Sequence, residues 1–392
     1  MNPSDFLIPG ILIALLFNFV SGLNGAANSI ATVIATRALS PFRAITLAAA
    51  CNVIGPFLFT TAIAHTLGSG LLQQSQITPL LLFIAIIVAA TLVIIATLSG
   101  LPISSSHALI GGLIGAGFAA EGTGILILPE MKTLQVLLFT VILGIGAGSV
   151  GLVLLTSLMG IEPDTRVALM GALFWISIAI PLMMFSGILH LSGITAIIIF
   201  IIISPVLGFM GAFTCDLTIL YLFRRSRMDI RRRIFTPLQV LATAFQALGH
   251  GAHDGQLAAG IIVAFFISMG LMTSFFVPLW VTLATAGAIG LGTLFGGWRV
   301  VERMGKKITR LRPYQGFAAS TSAGLIISSL TSVGIPISTT HVIGGTIVGV
   351  GATRGRAAVQ WEAVRIIIAG WLITLPLAFI LSWLLYTTIQ FL

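Results

Sequence analysis

Charge is what this chain has least of. Charged residues are 7% of its 392 positions, against about 25% in soluble globular proteins. That scarcity excludes an ordinary soluble domain. Hydrophobic residues make up 57%, in runs long enough to cross a bilayer as helices, so the fold class is an all-α polytopic membrane protein. Only two cysteines occur, Cys51 and Cys215, both in apolar stretches. They exclude a disulfide framework and a thiolate metal site. No nucleotide-binding P-loop is present, so the chain supplies no ATP drive of its own. Met1 to Asp5 has no basic segment of the kind that opens a secretory signal, and the apolar run after it predicts a first span.

Acidic residues are scarcer than basic ones, 10 against 19, for a net charge of +9. The excess is not spread as in a nucleic-acid-binding surface. Arg224, Arg225, Arg227, Arg231, Arg232 and Arg233 form one cluster; Arg299, Arg303, Lys306, Lys307, Arg310 and Arg312 form another. Basic loops between apolar runs are the positive-inside signal, and they also meet the anionic headgroups of the lipid bilayer. No nucleic-acid partner is expected.

Apolar runs predict about twelve spans: 6–36, 42–64, 79–99, 101–119, 133–158, 167–189, 193–223, 237–268, 277–297, 314–332, 336–352 and 364–389. With the 224–233 cluster in the cytoplasm, both termini fall outside. Arg37, Arg43, Arg166, Arg354, Arg356 and Arg365 then fall inside, and only Lys132 of the basic residues lands outside. This is the expected arrangement of a multi-pass protein of the plasma membrane.

What is abundant is glycine, 43 residues, and one motif that occurs twice. Gly100-Leu101-Pro102-Ile103-Ser104-Ser105-Ser106-His107 recurs 234 positions later as Gly334-Ile335-Pro336-Ile337-Ser338-Thr339-Thr340-His341. Gly111, Gly115 and Gly117 recur at the same offset as Gly345, Gly349 and Gly351. Each copy predicts a broken helix with a re-entrant, Ser/Thr-rich loop, and the charge count orients the copies oppositely. Residues 1–160 and 237–392 are then inverted repeats, joined by two linking helices and a basic loop over 161–236. Paired broken helices in two inverted halves point to a transporter's central site.

The hydroxyl runs Ser104-Ser105-Ser106 and Ser338-Thr339-Thr340 follow prolines that fit the first turn of a helix. A helix start offers unpaired N–H groups and a positive dipole end, and the hydroxyls add neutral donors, so the two triplets form an anion cradle without arginine. The competing use is bonding back to their own helix. His107 and His341 close the motifs and read as packing or capping residues. A second pair of stretches, Gly22 to Ser29 and Gly251 to Gln256, sits midway along long apolar runs, where glycine and polar side chains predict a local break. Aligning Gly22 with Gly251 sets Asn24 opposite His253 and Gly25 opposite Asp254. A carboxylate near the centre of a membrane helix costs roughly 2.5–3.5 kcal/mol on insertion scales, so Asp254 marks an ion or proton pathway. His250 and His253 orient it, carry a proton or cap a broken helix. Asn24, Asn28 and Ser29 offer oxygens for a cation, contacts to an anion, or partners for a broken backbone. Gln256 joins Asn24, Asn28 and Asp254 as a candidate for cation binding or coupling. No resident metal is expected besides a coupling Na+.

On these motifs the chain resembles the inorganic phosphate transporter (PiT) family. Asn18 through Pro41 resembles its first signature, Gly249 through Gly260 its second, and the two Pro-Ser/Thr-His stretches its hydroxyl loops. The resemblance covers nearly the whole chain. It implies a secondary symporter with inverted repeats that takes up inorganic phosphate with Na+ or H+, needs no cofactor, and forms a homodimer. One departure stands out. The family pattern has an Asn/His-Asp pair in both repeats, and this chain has Asn24-Gly25 in the first. A sulfate-transporting branch is similar in having glycine there, which keeps sulfate, or another tetrahedral oxyanion, as the alternative substrate. An anion channel and a membrane-embedded hydrolase fit less well. The broken helices argue against the channel. Adjacent Ser and His on a helix do not face each other, which argues against an enzyme.

Overall fold

The computed structural model describes residues 3–158, 165–189, 191 and 193–391. Among these residues there is no strand, only an isolated bridge between Leu72 and Leu126. In chain order the helices are α1 (Leu7–Ala35), α2 (Pro41–Leu58), α3 (Ala62–Ser69), α4 (Pro79–Leu98) and α5 (Ser105–Glu121), then α6 (Met131–Leu143) and α7 (Ser149–Leu158), joined by a π-helical stretch at Gly144–Gly148. There follow α8 (Thr165–Phe185), α9 (Gly193–Leu222), α10 (Met228–Ser268), α11 (Leu279–Phe295), α12 (Trp298–Lys306), α13 (Pro313–Ser332), α14 (Thr339–Ala352) and α15 (Trp361–Gln390). The repeat boundary expected at 160–161 lies outside the described residues, as does the side chain of Arg166.

The apolar runs sit where the helices are, but fewer of them are full spans by length and composition. Nine helical segments of the described residues qualify, or ten if α11 and α12, bent by 71°, count as one. Two of the shortfalls have plain causes. α14 has 14 residues, about 21 Å at 1.5 Å per residue, short of a hydrocarbon core of about 30 Å. α13 is long enough but carries Gln315, Ser320, Ser322, Ser328 and Thr331 among its buried residues.

The breaks at the duplicated motif have one local chemistry, used twice. Gly100 and Gly334 adopt φ of +66° and +74°, the left-handed region where a side chain is strained. Each glycine closes a helix end in the same way. Gly100 N–H bonds the Thr97 carbonyl and Leu101 N–H the Ala96 carbonyl; Gly334 N–H bonds Thr331 and Ile335 N–H bonds Leu330. This double bond is the Schellman stop. Ser104 and Ser338 then start the next helices as N-caps, accepting from His107 N–H at 3.2 Å and His341 N–H at 3.3 Å. Pro102 and Pro336 therefore lie in the extended link before the cap, not in the first helical turn as the spacing predicted.

The other pair of predicted breaks is absent. α1 runs unbroken through Gly22 to Ser29, and α10 through Gly251 to Gln256. Their polar side chains find partners on other helices, so the backbone keeps its own hydrogen bonds. The glycines serve close packing instead. A Cβ at Gly22 would lie 2.2 Å from the Ile289 carbonyl oxygen, and one at Gly251 2.3 Å from that of Asn52. α11 thus lies on α1 as α2 lies on α10. The short helices are seated by the same device. Gly111 and Gly115 of α5 meet the carbonyls of Leu375 and Phe379 on α15, and Gly345 and Gly349 of α14 meet those of Pro205 and Phe209 on α9.

Candidate functional site

α5 and α14 begin against each other in the interior. Ser106 Oγ donates to the Ile337 carbonyl at 3.1 Å and Thr340 Oγ1 to the Ile103 carbonyl at 3.1 Å. These bonds join residues 106 and 337, and 103 and 340, the reciprocal pairs of the duplicated motif. The His107 and His341 rings meet edge to face, with centroids 4.7 Å apart. Two helix N-termini, both carrying hydroxyls, therefore converge on one point. The peptide N–H groups of Ser105 and Ser106, and of Thr339 and Thr340, are among those helix geometry leaves without an intrahelical acceptor.

Asp254 occupies that point from α10. One carboxylate oxygen accepts from Ser105 Oγ at 2.9 Å and from Ser21 Oγ at 3.0 Å. The other lies 3.0 Å from His253 Nδ1, 3.6 Å from His250 Nδ1 and 3.4 Å from Thr339 Oγ1. Donors from α1, α5, α10 and α14 thus surround a single carboxylate that is 2% exposed. Asn28 extends the cluster: its Nδ2 donates to Thr340 Oγ1 at 3.0 Å and contacts Thr339 Oγ1 at 3.4 Å, while its carbonyl accepts from Gln246 Nε2. Asn24 lies to one side, donating to Thr97 Oγ1 at 2.9 Å and the Leu101 carbonyl at 3.2 Å. It ties α1 to the extended link before α5.

Of the residues singled out in the sequence, Ser105, Asp254, Thr339, Thr340 and Asn28 are brought together directly. Ser106 bonds Ser104 at 2.9 Å as well as Ile337, and Ser104 and Ser338 spend their oxygens on capping. Gln256 stands apart. Two residues beyond Asp254 is roughly 200° round the helix, and its Oε1 accepts from the N–H groups of Ile63 and Ala64 at the start of α3. Its assignment to cation binding thus has no geometric support. Ser21, Gln246 and Thr97 were missed. For Ser21 a signal existed: Ser21, Asn24, Asn28 and Thr32 recur at three- and four-residue spacing, one polar stripe on an apolar helix.

The departure at Gly25 has a physical counterpart. A Cβ placed there would lie 2.4 Å from Nε2 of His250. The imidazole fills the space a side chain at position 25 would need, and the same ring faces Asp254. The site holds one carboxylate and two imidazoles.

These hydrogen bonds set the size of the expected mutational effects. Ser105→Ala and Thr339→Ala should each weaken anion binding by about 0.5–1.5 kcal/mol, rising to about 3 where the bond is to a charged oxygen. Binding titration of the purified variants checks this. Parental affinity in both would reduce the triplets to helix-stabilising hydroxyls.

Buried polar stripes on membrane-spanning helices, meeting at two opposed helix starts, define a polytopic transporter rather than an enzyme. The chain matches the phosphate transporter family over residues 21–382. It is 37% identical over 381 residues to a "Probable low-affinity inorganic phosphate transporter" of Rhizobium meliloti, covering 97% of this chain and 95% of that protein. A protein of the same description from Bacillus subtilis is 30% identical over 379 residues, with 96% and 95% covered. Among solved structures, one titled "The sodium-dependent phosphate transporter" superposes with a TM-score of 0.69 at 24% identity, over 99% of this chain and 100% of that one. The chain belongs to the phosphate transporter family, a family of permeases and not of enzymes.

Proposed function

We propose that this protein is a cation-coupled symporter that carries inorganic phosphate through a site shared by two inverted repeats. The observation that carries the reading is the convergence of the starts of α5 and α14 on Asp254. Helix N-termini with added hydroxyls suit an oxyanion. The carboxylate suits a coupling cation, Na+ or H+, and accepts a hydrogen bond from an anion that still carries a proton. The site side chains are buried, Ser105 at 9% being the most exposed of the three at the centre. Exchange with either side then requires the helices around α5 and α14 to open alternately.

The repeat reading draws on paired contacts. α1 packs on α11 as α10 packs on α2, through Gly22 and Gly251; α5 packs on α15 as α14 packs on α9. In this arrangement α9, placed by its sequence position among the linking helices of 161–236, takes the position opposite α15. The twelve-crossing topology, with both termini outside the plasma membrane and a homodimeric assembly, completes the proposal. The orientation is supported by the charge sorting. The orientation has a direct check. Cysteine introduced by Ser226→Cys should resist an impermeant thiol reagent in intact cells. Ready labelling would reverse the orientation.

Transport itself is tested in proteoliposomes. Labelled phosphate should accumulate above its equilibrium level when a Na+ or a pH gradient is imposed, the two being applied separately. Saturable accumulation under one of them supports the symporter. Equilibration without accumulation under both is the behaviour of a channel.

A further inference from the structure

A second buried acid lies away from the central site. Asp216, on α9, is 0% exposed. One carboxylate oxygen accepts from Thr353 Oγ1 at 2.7 Å and lies 3.5 Å from Gln315 Nε2. The other is buried and has no hydrogen-bond partner. Thr353 is the C-cap of α14, and both Thr353 Oγ1 and Gln315 Nε2 also reach the Val350 carbonyl, at 2.8 and 2.9 Å. Asp216 therefore stands at the C-terminal end of α14, where the helix dipole is negative. Its neighbours on α9, Ala212 and Ile219, belong to one buried apolar cluster with Phe235, Tyr314 and Val350.

No ion pair among the described residues compensates this charge. Arg354, one residue past Thr353, directs its guanidinium to Thr309 Oγ1 at 2.8 Å and to the Arg310 carbonyl. On α10, Arg231 bonds the Phe223 carbonyl. The other titratable groups on the surrounding elements include Cys215, beside it on α9, Arg312 and Tyr314 at the start of α13, and Asp229, Arg232 and Arg233 in the first turns of α10. Arg354 acts on Asp216 only through space, not as an ion pair, and a buried carboxylate with one bare oxygen beside a helix C-terminus calls for a proton or a closer counter-charge.

The proposed repeats make this feature informative. Pro313, Gly334 and Ser338 stand 234 positions after Pro79, Gly100 and Ser104, so Gln315 corresponds to Leu81 and Thr353 to Ala119. The glycine contacts match Pro205 and Phe209 of α9 with Leu375 and Phe379 of α15, which sets Asp216 opposite Tyr386. At the other end of the fold, Leu81, Ala119 and Tyr386 share one hydrophobic cluster. The architecture is satisfied there without an acid. The acid at this end is an addition.

We infer that Asp216, Thr353 and the C-terminal carbonyls of α14 form a second monovalent cation site, for H+ or Na+, distinct from Asp254. The site rests on the repeat reading for the comparison of the two ends, and not on which anion is carried. It binds its cation on the side of the molecule that bears the basic loops, where α9 already meets the end of α14 through the bond from Thr353 to Asp216.

The test uses purified full-length protein in detergent, without phosphate, so that it stands apart from the transport reading. Asp254→Asn silences the central acid. Thermal unfolding is then followed against Na+, with choline holding ionic strength constant, and separately against pH. A ligand that binds only the folded state stabilises it by RT ln(1 + c/Kd) at free concentration c, so the concentration at which Tm begins to rise reports its Kd. The expected result is that Asp254→Asn remains stabilised by one of the two cations, and that adding Asp216→Asn weakens the half-saturating concentration at least about tenfold. The Na+ arm and the pH arm identify which cation it is. Thr353→Val in the same background should change the response while keeping the acid, weakening it for Na+ and strengthening it for H+, because the carboxylate loses a donor that favours its charged form, and it decides the matter if the double aspartate variant does not fold. A Tm lowered equally at every cation concentration is the signature of a structural acid and overturns the site. So does an unchanged response in the Thr353→Val variant.

Discussion

Asp254→Asn should abolish gradient-driven accumulation while leaving exchange of anion across the membrane. The carboxylate is the only acid at the convergence of α5 and α14, and hydroxyl and imidazole donors from four helices face it. The amide has nearly the same shape but no charge. It takes up no proton at neutral pH, offers Na+ only a neutral carbonyl oxygen, and presents an N–H group to a ring of donors. Removing one partner from a buried charged network costs about 3–5 kcal/mol, and without the charge no coupled cation is held. Uptake into proteoliposomes under an imposed gradient measures accumulation, and counterflow of labelled phosphate measures exchange. Parental accumulation by the variant would remove Asp254 from coupling.

The second large effect concerns Gly25. Its missing side chain is not a gap, because the His250 imidazole stands 2.4 Å from where a Cβ would be. Gly25→Ala should therefore disrupt the site despite adding one carbon. Overpacking of this kind costs about 1–3 kcal/mol, and the ring it displaces also faces Asp254 at 3.6 Å. Gly25→Ala should lower both thermal stability and transport, and His250→Ala should restore the stability of the double variant. Unfolding midpoints of the two single variants and the double variant give the coupling directly. Additive losses would show that the two positions do not compete for space. In this chain an imidazole holds the space that a side chain at position 25 would take.

The helix positions were legible because apolar runs bounded by Gly and Pro admit few alternatives. The hydroxyl triplets were legible because they occur twice with the same glycine stop and serine cap. What failed was the inference from polarity to backbone breaks. Asn24, Asn28 and Asp254 looked like interruptions because a sequence shows polar side chains without their partners. Partners on other helices, Thr97 of α4 for Asn24, Thr340 of α14 for Asn28 and Ser105 of α5 for Asp254, lie 73 to 312 positions away, and they let α1 and α10 stay continuous. Gln256 failed for the same reason in reverse. Its two partners are backbone N–H groups at the start of α3, and sequence spacing carries no trace of them. Ser21 was within reach, since the helical stripe it begins was present and went unused.

Anion choice turns on protons. At neutral pH phosphate retains at least one O–H, and sulfate has none. A carboxylate that reaches the anion accepts a charge-assisted hydrogen bond from the first and repels the second. Asp254 lies among the very hydroxyls proposed to hold the anion, which favours phosphate, whereas Gly25 removes an acid that would otherwise help reject sulfate. Competition between the two anions is the most direct measurement of this account. Uptake of labelled phosphate should persist in a large excess of unlabelled sulfate and be suppressed by unlabelled phosphate. Suppression by sulfate to the same degree, or accumulation of labelled sulfate without phosphate uptake, would contradict it.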